Sequence, residues 1–279
     1  MLTIKSDRLT VELPEPGEAP NTSQRFDRAG FISEVTLDGS MRFCASEPKN
    51  LRHPSSGGRG LCNEYRVNIC EEVAVGEYFP KFGIGLYRKE EEGKFIFHKK
   101  YQDVVPFPIH FEHTSSTARF VTDPISCQDC ALHTTKTIKV AGNSLSMTVQ
   151  AENVGARGLA LEEFCHNFLS IDGMALGSDY QLDLPQCPDL GHERLPNRST
   201  ARPGSLRGNG RGVTLCEFSA IDTDFAVTSA LVEDTIPFTW TLRHLGARAQ
   251  VRCEEGFKPA KVVVWAVDHI VSPEIVHGF

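Results

Sequence analysis

The strongest constraint on this chain is a period of two. Leu9, Val11 and Leu13 alternate with Thr10 and Glu12. Leu145, Met147, Val149 and Ala151 alternate with Ser146, Thr148 and Gln150, and Phe238, Trp240 and Leu242 with Thr239, Thr241 and Arg243. Successive side chains on a strand point to opposite faces, so this pattern buries one face and wets the other, as antiparallel sheets do. The continuous apolar run Val262-Val263-Val264-Trp265-Ala266-Val267 predicts a strand buried on both faces. Turn-forming clusters recur between such runs: Leu37-Asp38-Gly39-Ser40, Glu91-Glu92-Gly93-Lys94 and Ala141-Gly142-Asn143-Ser144. Amphipathic helical patterns are lacking. The expectation is an all-β chain, a large antiparallel β-sandwich, with residues 1–279 as one domain.

Charge and length narrow the function. Lys and Arg number 29 against 36 Asp and Glu, a net charge of −7. A basic stripe for nucleic acid is not expected, because phosphate binding needs clustered cations. No apolar run is long enough for a membrane helix, and Met1-Leu2-Thr3-Ile4-Lys5-Ser6-Asp7 lacks the regions of a signal peptide. Nine cysteines, at 44, 62, 70, 127, 130, 165, 187, 216 and 253, are odd in number and scattered. Reduced thiols in a cytoplasmic protein are therefore expected. The partner that fits is a small neutral or weakly charged molecule. Oligomeric state is not readable from the sequence.

Several motifs have bland readings that outweigh their chemistry. Cys127-Gln128-Asp129-Cys130 with His133 could offer three zinc ligands, but no second pair completes a tetrahedral set. His110-Phe111-Glu112-His113 on a strand puts His110 and Glu112 on one face and His113 on the other, and reads as a wet strand end. Ser55-Ser56-Gly57-Gly58-Arg59-Gly60 could cradle an anion with backbone amides, yet it lacks the Lys-Ser/Thr of a P-loop. Arg59 is the residue there that could serve as a hydrogen-bonding arm. Residues 183–212, rich in Pro, Gly, Arg and Asn, read as a long surface excursion, and residues 52–60 as a second. His166, between Cys165 and Asn167 in an aromatic strand-like context, and Glu274, just past Pro273, are candidate acid/base groups.

Four segments resemble the aldose 1-epimerase (galactose mutarotase-like) superfamily. They are Asn21-Thr22-Ser23-Gln24-Arg25-Phe26-Asp27-Arg28-Ala29-Gly30-Phe31-Ile32, then Val35 to Gly39; Phe79-Pro80-Lys81-Phe82-Gly83-Ile84-Gly85; Phe164-Cys165-His166-Asn167-Phe168-Leu169; and Val264-Trp265 through Ser272-Pro273-Glu274. The resemblance implies a large antiparallel sandwich. It also implies an acid histidine at His166, a base glutamate at Glu274, and catalysis without metal or nucleotide cofactor. The family's His-Gly-Gly-type loop is missing, and Lys81 lies in roughly its place. The family also continues into another strand after the glutamate, whereas this sequence stops at Phe279, so a final strand that is shortened or contributed differently is expected.

The implied reaction opens a hemiacetal, rotates about C1–C2 and closes on the other face. Glu274 takes the anomeric hydroxyl proton and His166 protonates the ring oxygen, from opposite sides of one sugar ring. Arg25, Arg59 and Lys81 are expected to bond hydroxyls, a phosphate or a carboxylate of the sugar. Trp265 stacks on the ring or packs in the core, and Asn167 and His269 are further contact candidates. Two rivals remain: a non-catalytic carbohydrate-binding protein on the same sandwich, and a metal-dependent sugar isomerase using His110, His113 or His133.

Overall fold

The computed structural model describes residues 1–18, 24–47, 55–187, 236–267 and 269–279, and the backbone of strands Leu206–Gly208, Gly212–Leu215 and Phe225–Ser229. Among these residues, the one helical turn is Cys70–Glu72, and no helix is long and apolar enough to cross a membrane. Every paired strand is antiparallel.

The central sheet holds the site. Its strands run in the order Phe225–Ser229, Lys261–Val267, Ile270–Gly278, Glu162–Phe168 and Gly60–Arg66. A second five-stranded sheet contains Tyr180–Asp183, Phe238–His244 and Ala249–Glu255. Leu182, Phe238, Trp240 and Leu242 from it meet Val262, Val264, Ala266, Val271 and Ile275 of the central sheet in one apolar core. Each such side chain contributes about 1.5–3 kcal/mol on burial, so this face fixes which way the central strands turn.

The run from Val262 to Val267 is therefore not buried on both faces. Val262, Val264 and Ala266 are fully buried, while Lys261, Val263 and Trp265 are only half-buried on the other face. The alternation expected from Phe238 to Arg243 is present, with Phe238, Trp240, Leu242 and His244 buried. Ser144–Asn153 keeps its alternation only weakly, and Ala151 is exposed, because this strand is the edge of its four-stranded sheet.

Tight turns sit where the Gly clusters place them. Asp38 and Gly39 have φ of 50° and 72°, and Gly142 has φ of 55°, the left-handed region that glycine enters without strain. The two proposed excursions are not wholly irregular. Residues 188–205 and 52–54 lie outside the described residues. Asp183 ends a strand, Leu184 and Cys187 are fully buried, and Leu206–Gly208 pairs with Gly212–Leu215. In the shorter excursion Ser56 and Gly58 are buried. The sequence segment 21–23 and Cys216 also lie outside the described residues. The other eight cysteines are all free thiols.

Candidate active site

Register brings His166 and Glu274 together. Glu163 pairs with His277 and Leu169 with Val271, and continuing that register puts His166 opposite Glu274. Opposed residues on neighbouring antiparallel strands share a face. Between these anchors the regular ladder stops. Pro273 has no N–H to give, and the Asn167 side chain instead donates from Nδ2 to the Pro273 carbonyl at 2.6 Å. A proline inside a central strand is a local cost, and it sits between Ser272 and Glu274, which both reach the histidine.

His166 Nε2 lies 3.1 Å from Glu274 Oε1, and both side chains are more than nine-tenths buried. Ser272 Oγ is 2.9 Å from His166 Nδ1 and 3.4 Å from Glu274 Oε1, closing a triangle of three proton-carrying groups. The imidazole stacks on Phe168 with centroids 4.0 Å apart and meets Trp265 edge-on at 5.3 Å. Burial, reinforced by Arg25 and Arg66, holds the imidazole well below its usual pKa. Burial pushes the Glu274 carboxyl up to about 7 against the pull of Arg25 and Arg66. Both shifts favour a neutral imidazole and a protonated Glu274.

The two groups approach from one sheet face, side by side. They do not flank a space for a ring, as the opposed-side arrangement requires. The cause is their position on adjacent strands in direct register.

A second cluster centres on Glu64, which sits two residues along the same face from Cys62, the register partner of His166. Arg25 Nε donates to Glu64 Oε2 at 2.9 Å, Arg66 Nη2 to the same oxygen at 3.1 Å, and Lys81 Nζ lies 3.4 Å from Oε1. Burial alone would raise the Glu64 carboxyl, but the three cations hold it well below the usual carboxylate range. Lys81 is lowered by burial to about 8, with Glu64 opposing and Arg25 and Arg66 adding to the shift. Its Nζ also donates to the Tyr65 carbonyl at 2.7 Å. Phe97 covers the Arg25 guanidinium at 4.4 Å, and Phe95 lies 5.1 Å from Lys81 Nζ.

The glycine-rich stretch does cradle an anion, but one of the chain's own. Ser55 Oγ, Ser56 N, Ser56 Oγ and Gly58 N all point to Glu47 Oε2 at 2.9, 2.7, 3.0 and 3.4 Å. Ser56 Oγ in turn is 3.4 Å from Arg25 Nη1, so this loop helps to place Arg25.

Of the residues singled out in the sequence, His166, Glu274 and Trp265 meet directly, and Arg25 and Lys81 meet through Glu64. Asn167 faces away from His166, as neighbours on a strand must, and is bonded to Pro273. Arg59 is half-buried, with Nε donating to the Ser33 carbonyl at 3.1 Å. His269 lines a separate depression with Arg42, Cys44, Ala45, Ser46, Asp172 and Gly173. Glu64, Arg66 and Ser272 went unnoticed. Their signal was the same period of two: Cys62, Glu64 and Arg66 alternate on one strand, and Ser272 shares the face of Glu274.

The metal candidates lie elsewhere. Cys127 and Cys130 close a two-residue turn through Gln128 and Asp129, both at positive φ. His110 and His133 flank Asp123 at 3.3 and 3.7 Å on another sheet. Among the described residues no group of three or more His, Cys, Asp or Glu side chains is arranged to hold a metal ion.

Fold and site together describe a β-sandwich with a buried histidine–carboxylate pair beside a cation cluster. No protein-family model and no curated sequence matches the chain. Among solved structures it is similar to an Escherichia coli protein provisionally assigned as an aldose 1-epimerase. That similarity has a TM-score of 0.59 and 12% identity, over 98% of this chain and 86% of the other. It is also similar to the Slr1438 protein of Synechocystis, with a TM-score of 0.57 and 15% identity, over 99% of this chain and 84% of the other. At these identities the likeness shows the fold alone, a large antiparallel β-sandwich.

Proposed function

We propose that the protein is an aldose 1-epimerase-like isomerase, interconverting α and β anomers of a small carbohydrate by general acid/base ring opening. The observation that carries this reading is the 3.1 Å contact between His166 Nε2 and Glu274 Oε1. The anomeric hydroxyl oxygen and the ring oxygen are bonded to the same carbon. Two groups standing side by side can therefore serve both at once: one removes a proton from the hydroxyl while the other delivers a proton to the ring oxygen. Closure after rotation about C1–C2 reverses the transfers and restores the pair.

With the imidazole neutral and Glu274 protonated, His166 takes the hydroxyl proton and Glu274 donates. With the proton moved to His166, the roles exchange. Ser272 follows either state, donating to Nδ1 when that nitrogen is bare and accepting when it carries hydrogen. Each positioned proton transfer is worth about 10²- to 10⁴-fold in rate.

A second reading rests on the burial of both groups. His166 and Glu274 are 4% and 5% exposed, which also suits a carbohydrate-binding protein that performs no chemistry. Anomer-exchange NMR on a panel of aldoses separates the two. Catalysed exchange in the wild type that is lost in Glu274→Gln and His166→Asn supports the isomerase. Binding without faster exchange supports the second reading.

A further inference from the structure

We propose that Cys127 and Cys130 form a reversible redox modification site, closing an intramolecular disulfide across their turn by exchange with a small disulfide such as glutathione disulfide. The proposal is independent of anomerisation.

The backbone sets the pair. Cys127 N donates to the Cys130 carbonyl at 3.0 Å, and Cys130 N donates to the Cys127 carbonyl at 2.9 Å. The two residues are thus directly opposed as a hydrogen-bonded pair, with their side chains on one face. Such a pair has Cα atoms about 5.5 Å apart, inside the range of about 4.4–6.8 Å that a disulfide spans. Among the described residues no other two cysteines are opposed. Cys62 pairs with His166 and Cys165 with Asn63, so those two thiols leave their sheet on opposite faces. Cys44 pairs with Leu169 and Cys253 with Trp240.

The turn is held from outside. Gln128 and Asp129 have φ of 53° and 60°, the left-handed values of a type I′ hairpin turn, where Asn, Asp and Gly are usual and Gln is not. Neighbours compensate. Gln128 Nε2 donates to the Tyr78 carbonyl at 3.3 Å, and Arg157 N donates to the Asp129 carbonyl at 2.9 Å. Gly155 lies so close against the turn that a Cβ on it would meet the Asp129 carbonyl oxygen at 2.5 Å. Contacts that pin Gln128 and Asp129 also keep the two cysteines opposed.

Both thiols are free. Cys127 Sγ donates to the Tyr78 carbonyl at 3.2 Å and Cys130 Sγ to the Gln128 carbonyl at 3.3 Å. Thiols are weak donors, so little is lost when the sulfurs turn toward each other. Cys127 is half-buried and Cys130 fully buried, which makes Cys127 the first to react. Its thiolate attacks one sulfur of glutathione disulfide, forming a mixed disulfide and expelling one glutathione thiolate. The Cys130 thiolate then attacks the Cys127 sulfur and expels the second. The protein gives up two protons and two electrons, and glutathione disulfide is reduced to two thiols. The bridge is easily undone for two reasons. It closes a loop of only four residues, Cys127 to Cys130, where the chain-entropy gain is smallest. Opposed Cβ atoms also lie about 4.5–5.5 Å apart, against about 3.5–4.5 Å in a disulfide, so closure strains the turn.

The test incubates the reduced full chain with glutathione disulfide under native conditions, then quenches in acid, alkylates in denaturant and maps peptides by mass spectrometry. It uses wild type, Cys127→Ser and Cys130→Ser. The expected wild-type product has lost two hydrogens, carries a bridge between Cys127 and Cys130, and leaves the remaining cysteines alkylated. Cys130→Ser stops at one glutathione adduct on Cys127, and Cys127→Ser reacts about tenfold more slowly, as burial of the surviving thiol requires. Excess reduced glutathione restores both thiols in wild type. Adducts without a bridge, a bridge between other cysteines, or closure only in urea overturns the proposal. A bridge that resists excess reduced glutathione is a structural disulfide and overturns the reversible site.

Discussion

His166 and Glu274 meet at 3.1 Å because two strands pair in a register that sets them opposite, 108 positions apart in sequence (274 − 166). A unit built this way fails as a unit. Glu274→Gln and His166→Asn are each expected to slow catalysed anomer exchange by about 10²- to 10⁴-fold. The double variant is expected to be no slower than the worse single, because groups acting together are grossly non-additive. Exchange NMR on all three variants checks this, and additive losses would show that the two residues act independently.

Ser272 is fully buried and touches both members of the pair. Ser272→Ala leaves Nδ1 unpartnered in the interior and removes a hydrogen bond that lowers the Glu274 pKa. The expected outcome is a fall in kcat of about tenfold, in line with a lost hydrogen bond of about 1–3 kcal/mol. KM should be little changed, and the pH–rate limb belonging to Glu274 should move up. A purely packing role for Ser272 would leave that limb in place.

Much of the fold was legible because period two is a local signal. The alternations at residues 9–13 and 238–243, and the turns at Gly39 and Gly142, needed no tertiary knowledge. His166 and Glu274 could be named from resemblance, but their side-by-side contact depends on the register of two distant strands, which no local pattern encodes. Asn167 illustrates a rule left unapplied: adjacent strand residues face opposite ways, so it could not share a face with His166. Glu64 and Arg66 sat in the same alternation, yet only the approach of Arg25 and Lys81 from elsewhere gives them meaning. The run from Val262 to Val267 misled because apolar composition hides the difference between a core face and a half-open site face.

Lys136 gives the sharpest stability prediction. It is 2% exposed, and its Nζ donates to Asp27 Oδ2, the Ala29 carbonyl and Asn63 Oδ1 at 2.7, 2.7 and 2.8 Å. Lys136→Met keeps the apolar stem and strands the Asp27 carboxylate, which is 1% exposed. Breaking a buried pair from one side costs about 3–5 kcal/mol. Urea unfolding should show that loss, and a change below about 1 kcal/mol would mean that Asp27 finds another partner.

Gly58 ties the loop around Glu47 to the imidazole. A Cβ there would lie 2.0 Å from Phe168 Cζ, and Phe168 stacks on His166 with planes 6° apart. Gly58→Ala is expected to destabilise the protein by about 1–3 kcal/mol through overpacking and to lower anomer exchange by displacing the histidine. Gly142→Ala meets no atom within 4 Å, although Gly142, unlike Gly58, lies at positive φ (55°), and should leave exchange unchanged. Equal activities for the two variants would separate Phe168 from the placement of His166.

The pH dependence of stability isolates Glu163. Burial pushes its carboxyl up to about 7, opposed by the Asn63 hydrogen bond and by Lys136. In the unfolded chain it titrates near 4.5. Between these values the folded protein holds a proton that the unfolded chain has released, so stability falls as pH rises. The contribution is complete below the unfolded pKa and lost on passing through the folded one. Glu274 has the same sign over the same window. His166 has the opposite sign, since its folded pKa is lowered and its contribution grows as pH rises toward 6.5. Their sum is therefore uninformative, and a difference against Glu163→Gln is needed. Glu163→Gln keeps an acceptor for Asn63 and cannot ionise. Relative to wild type it is expected to gain up to about 3 kcal/mol between about pH 5 and pH 8, from the conversion of a pKa difference into free energy. Urea midpoints at the two pH values measure it, and a difference that does not change with pH would place the raised titration elsewhere in the protein.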